Sequence, residues 1–196
     1  MALSLTKNQS ISLEKTAGNR LKHVTLGLGW DPVKAGGILG RLLGGGGDID
    51  LDASCIVLDA DKQAVDLVWF RQLTSRDGAI QHDGDNRTGE GDGDDESIHV
   101  NLEALPATVK YLVFTVNSFT GQNFEKVANA YCRLIDSGTH AELGRFNLTE
   151  KGGHTGLVMA YLARTAEGWE FTTVGQTTQG RTADDLVNLA IQVVRS

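Results

Sequence analysis

Proline and cysteine are both scarce, at two each among 196 residues. So little proline excludes a Pro-rich linker or a polyproline segment. Two cysteines cannot build a disulfide framework. Cys55 and Cys132 each lie in an apolar run (Ala53 to Leu58; Ala128 to Leu134), which predicts reduced thiols in the core. The five histidines are dispersed, so no zinc-type cluster is expected. No stretch approaches the roughly 18 apolar residues of a spanning helix. Met1 is followed by Ala2-Leu3-Ser4-Leu5 without a basic segment or a long apolar run, which does not read as a secretory signal. A cytoplasmic protein is therefore expected.

What the chain does have is glycine, 24 residues, with 40% hydrophobic and 22% charged residues. The last two values lie in the globular range. Short alternating runs dominate. His23 to Trp30 places Val24, Leu26, Leu28 and Trp30 on one face, and Ser97 to Leu102 places Ile98, Val100 and Leu102 inward. Ile11 to Leu13, Ser54 to Leu58, Val65 to Phe70, Val109 to Phe119, Ala141 to Leu148, Gly156 to Arg164 and Trp169 to Gly175 also read as strands. Phe124 to Ile135 is ambiguous. Near the C-terminus, Thr182 is followed three residues later by Asp185, as in a capping box. Leu186, Val187, Ala190, Ile191 and Val194 then recur at helical spacing. The expected class is all-β: a β-sandwich of two mainly antiparallel sheets with a C-terminal amphipathic helix. Residues 1–196 are expected to form a single domain, with a glycine-rich loop over 36–47. Its leucines, Leu39, Leu42 and Leu43, are either a contact patch or a cover for a sheet edge.

The net charge of −7 is concentrated. Asp83 to Glu96 holds seven acids and only Arg87 as a base; Asp48, Asp50 and Asp52 add three acids. The rest of the chain has 15 acids against 17 bases, so its acidity belongs to two short segments. Such segments do not suit nucleic acid, whose phosphates need Lys and Arg. Carboxylates crowded among glycines repel one another unless a cation intervenes. Calcium takes 6–8 oxygens in irregular geometry, and magnesium prefers fewer carboxylates and more water. Asn86 would add a neutral oxygen. Ten carboxylates suit about two calcium ions. A solvated acidic turn is the plain alternative.

Other motifs fail. Asp48-x-Asp50-x-Asp52 opens like an EF-hand but has Ala53 where glycine is needed, and Asp85 to Glu96 has Arg87 at its third position. Gly84 to Gly89 has Walker glycine spacing, but Glu90 and Gly91 replace the lysine and hydroxyl residue. His82 beside Asp83 is a weak acid/base pair at best. No catalytic centre is evident, and a non-enzymatic protein is expected. Metal-assisted hydrolysis and calcium-dependent lipid binding are the alternatives.

Gly27-Leu28-Gly29-Trp30-Asp31, Asp50-Leu51-Asp52-Ala53-Ser54 and the run Gly84 to Glu96 together resemble the signature of the TerD-domain family of tellurite-resistance and stress proteins. Val68 to Leu73 and Val116 to Gly121 look most like the TerZ branch. The resemblance covers nearly the whole chain. It implies a calcium-binding β-sandwich, commonly with two ions, and its carboxylate motif falls on Asp50, Asp52, Asp85, Asn86, Glu90, Asp92, Asp94, Asp95 and Glu96. Asp31 and Asp48 are further candidates. It also implies a role in resistance to tellurite, chemical stress and phage. The implied partners are other tellurite-resistance proteins at the inner face of the membrane, with peripheral membrane association and no small-molecule substrate. Direct reduction of tellurite would need reactive thiols or a redox cofactor, which Cys55 and Cys132 do not supply.

Overall fold

Alternation decides the architecture. Along His23–Pro32 (β3), Val24, Leu26, Leu28 and Trp30 are all buried, as the period of two requires. The computed structural model describes residues 3–32, 50–84 and 93–194. The glycine-rich segment 36–47 with its leucines, and Asp48, Asp85, Asn86, Glu90 and Asp92, lie outside them.

The chain opens with β1 (Leu3–Leu5), β2 (Ser10–Ser12) and a short helix α1 (Leu13–Ala17), followed by β3. The strands β4 (Leu51–Asp59), β5 (Ala64–Val68), β6 (Ile80–His82), β7 (Glu96–Asn101) and β8 (Val109–Ser118) come next. The last strands are β9 (Val127–Asp136), β10 (Ala141–Asn147), β11 (Gly156–Thr165) and β12 (Gly168–Thr178), and the helix α2 (Ala183–Val193) ends the described chain. One six-stranded sheet has the order β1-β10-β9-β3-β7-β6 and the other β2-β12-β11-β8-β4-β5. Among the described residues every strand pairing is antiparallel except β1 with β10. The core between the sheets contains Leu26, Leu28, Cys55, Phe114, Cys132 and Phe171. Both cysteines are free and fully buried, as expected.

The second sheet buries its outer face under α2. Leu186, Ala190 and Val194 pack with Ile56, Leu58, Tyr111, Val113, Val158 and Tyr161. The helix begins where the sequence predicts. Asp185 Oδ2 accepts from Arg181 N at 2.9 Å, Thr182 N at 3.0 Å and Thr182 Oγ1 at 3.1 Å, which satisfies donors that a helix start leaves open.

Some elements differ from the sequence reading. Leu13 starts α1 rather than ending a strand, because Ser12 Oγ accepts from Lys15 N and Gly18 closes the turn at φ 73°. Trp69 and Phe70 leave β5, because Trp69 and Gln72 exchange backbone hydrogen bonds across a tight turn. The ambiguous run Phe124 to Ile135 is a single 3-10 turn followed by β9, where Ala130, Cys132 and Leu134 point inward.

Candidate metal centre

The two acidic segments meet at one end of the sandwich. The strand β5 stops at Val68, opposite Cys55, so the backbone of Ala53 is left without a strand neighbour on that side. Two side chains from the other sheet take its place. Glu96 Oε2 accepts from Ala53 N at 2.6 Å, and His82 Nε2 lies 3.1 Å from Ala53 O. The start of β7 is thereby fixed to the start of β4, the strand that carries Asp52.

Burial makes these carboxylates costly. Asp50 is 9% exposed, Asp52 4% and Glu96 2%. A buried carboxylate must be hydrogen-bonded, paired with a charge or bound to a metal. His82 supports Glu96, with 3.4 Å between Nε2 and Oε2. Gly84 N donates to His82 Nδ1 at 3.0 Å, so the neutral ring carries its proton on Nε2 and presents it to Ala53 O and Glu96. Burial pushes the His82 pKa down, but the hydrogen bond and charge of Glu96 outweigh it, and the net direction is up. Asp95 Oδ2 accepts from Trp30 N at 2.8 Å. The Asp95 pKa is nevertheless raised, by burial and by the charges of Asp31 and Asp94. A cation at this end would relieve that repulsion.

Asp94 is placed differently. Its carboxylate folds back over the outer face of the first sheet, where Arg133 Nε donates to Oδ1 at 2.8 Å and Oδ2 at 3.1 Å. Tyr131 Oη lies 2.8 Å from Gly93 O and 3.2 Å from Asp94 Oδ1. Arg133 also reaches Glu142, which Arg145 holds with two hydrogen bonds. Gly27 and Gly29 make room for this layer: a Cβ at Gly27 would stand 2.0 Å from Asp94 Oδ2, and one at Gly29 2.5 Å from the Tyr131 ring. Asp31, a further candidate, accepts from Asn129 Nδ2 at 2.8 Å. His82 and Asp83 do not pair. Asp83 Oδ2 lies 2.7 Å from Nε2 of His99 instead, on the outer face.

Of the nine expected ligands, the described residues hold Asp50, Asp52, Asp94, Asp95 and Glu96. Among the described residues no three carboxylate, imidazole or thiol groups converge as a metal site would require. The donors gathered here are nonetheless hard oxygens, which suit calcium and not a soft metal. Beside Asp52 the sequence reading missed three neutral ones. Ser54 Oγ, Thr115 Oγ1 and Asn117 Oδ1 are buried and have no hydrogen-bond partner among the described residues. Their signal was available: polar residues at every second position of two otherwise apolar strands.

A family model for the TerD domain matches residues 1–190. The chain belongs to the TerD-domain family. Among TerD-domain relatives, it is 54% identical to tellurium resistance protein TerZ of Serratia marcescens, over 94% of each chain. It is 40% identical to stress response protein SCP2 of Bacillus subtilis, over 96% of this chain and 98% of that one. The crystal structure of a telluride resistance protein (TerD) homologue from Streptomyces coelicolor superposes with a TM-score of 0.68 at 24% identity. That match covers 85% of this chain and 95% of the other, and confirms the two-sheet fold. No helix among the described residues is long and apolar enough to cross a membrane.

Proposed function

We propose that this chain is a calcium-binding, non-enzymatic module of a tellurite-resistance and chemical-stress response, working within a membrane-associated assembly of related proteins. The observation that carries the metal reading is the Glu96–Ala53 hydrogen bond, which fastens together two segments that hold ten acids and, as a base, only Arg87. The ions, two at the acid count available, would be held by Asp50, Asp52, Asp95 and Glu96 with Asp85, Asn86, Glu90 and Asp92. Asp94 would serve either as a ligand or, as its bond to Arg133 suggests, as an anchor for its neighbours. Calcium would neutralise the acids and order the loops that carry them. The biological role rests on the relatives named for tellurium resistance and stress response. Isothermal titration of the metal-free protein with calcium tests the reading. Heat that saturates at one or two ions supports it, and no heat up to millimolar calcium from folded protein contradicts it.

A second reading, docking on an anionic bilayer, draws on an aromatic step at the same end of the sandwich. Phe119, 40% exposed, meets Phe70 edge-on at 5.5 Å, and Phe70 meets Trp69 at 5.0 Å. The Arg71 guanidinium lies 5.3 Å from both the Trp69 and Phe70 rings. Aromatic rings beside a cation suit the headgroup layer. Co-sedimentation with phosphatidylserine vesicles, with and without calcium, separates this reading from a purely protein-directed module.

A further inference from the structure

The outer face of β4 and β8 changes character halfway along. Under α2 it is apolar, with Ile56 and Val113 in the packed cluster. Two and four residues further toward the acidic end, on the same face, stand Ser54 and Asp52 on β4 and Thr115 and Asn117 on β8. The register pairs Asp52 with Asn117 and Ser54 with Thr115, so the four side chains form a rectangle of cross-strand neighbours. All four are buried: Asp52 4% exposed, Ser54 1%, Thr115 0% and Asn117 1%.

The Asn117 amide is oriented by its surroundings. Its Nδ2 donates to Arg181 O at 2.7 Å and lies 3.4 Å from Asp52 Oδ2. A carbonyl can only accept, so the Arg181 contact fixes which end of the amide is nitrogen. Oδ1 therefore faces the other way, and it has no hydrogen-bond partner among the described residues. The hydroxyls of Ser54 and Thr115 have none either. Three neutral oxygens beside a buried carboxylate are a poor arrangement for packing alone, because alanine and valine would fill the same space without an unmet polar group.

We propose that Asn117, Thr115 and Ser54 furnish neutral oxygen ligands to a calcium ion anchored by Asp52 on this face of the second sheet. The inference rests on the calcium reading above and adds strand residues to a site so far drawn only from acidic segments. One carboxylate, one amide carbonyl and two hydroxyls are the hard, mixed donor set that calcium accepts, and they supply four of the 6–8 oxygens it takes. A β-sheet platform also positions donors more firmly than a loop does.

The test uses the full chain as wild type, Thr115→Val and Ser54→Ala, with calcium affinity from calorimetry and melting in EGTA. Each substitution removes a hydroxyl with little change of shape. The expected result is that both variants melt in EGTA at or above the wild-type temperature, since an unmet polar group is gone. Both should also lose at least about tenfold in calcium affinity, a loss seen even for outer-shell partners of a metal. If the wild type binds calcium and both variants bind it equally well, the hydroxyls enclose only water and this inference falls alone. If the wild type binds no calcium, the calcium reading falls and this inference with it.

Discussion

Arg133 holds Asp94 against Gly27: its Nε donates to Asp94 Oδ1 at 2.8 Å, and a Cβ on Gly27 would stand 2.0 Å from the other carboxylate oxygen. The glycines of the Gly27-Leu28-Gly29 motif are thus space for an ionic layer. Gly27→Ala must push Asp94 off Arg133, and overpacking of this kind costs about 1–3 kcal/mol. Gly153→Ala is the control, because its Cβ would meet nothing within 4 Å, and an unobstructed surface change stays within about 0.5 kcal/mol. Urea denaturation of the two variants checks the difference.

The start of α2 should be acid-sensitive. The backbone N–H groups of Arg181 and Thr182 hold the Asp185 carboxyl below its usual pKa. A carboxyl whose pKa is lower in the folded state stabilises above its unfolded pKa, about 3.9. That contribution is lost as pH falls through the folded value. Asp185→Ala should therefore cost about 1 kcal/mol near neutral pH, as lost caps do. The difference between wild type and variant should shrink only as pH falls below the unfolded carboxylate value, toward the folded one. Denaturation curves taken at neutral pH and down an acid series read this directly.

Neither thiol is placed to react with tellurite. Burial pushes the Cys132 thiol up to about 12 and raises Cys55 further, Asp66 adding to the effect there. The thiolate is the reactive form. A disulfide reagent should label neither cysteine of the native protein within minutes, and should label both in denaturant. Fast labelling of the native protein would reopen a thiol-based role.

Most of the fold was legible because its strands alternate over six to eleven residues. Val24 to Trp30 and Ile98 to Leu102 declared their inner faces, and Leu186, Ala190 and Val194 declared a helical stripe. The pieces that were not legible are short. The three residues of β6 and the five of α1 carry too little period to read, and their positions come from pairing with β7 and from a cap at Ser12. The acidic segments stood out by charge alone. Their charge also predicts that the loop around Asp50 and Asp52 closes over the Asp85 to Glu96 loop; the means of joining was not legible, because it depends on β5 ending early and leaving Ala53 for Glu96 and His82 to engage. Asp94 looked equivalent to its neighbours in sequence. Only the fold shows it turned back onto Arg133, a residue 39 positions away.

The ten carboxylates of the two segments should repel one another until a cation arrives, so calcium should stabilise the fold. At a hundredfold excess over Kd the gain is about 2.7 kcal/mol per ion. For a chain of this length that is a rise in Tm of roughly 5–10 °C. Asp52→Asn should shrink the rise. The decisive measurement is a melting curve of the wild-type chain in EGTA, in calcium and in sodium chloride of matched ionic strength. A rise of that size in calcium, absent in matched salt, is the result predicted here; three coincident curves would contradict the calcium site.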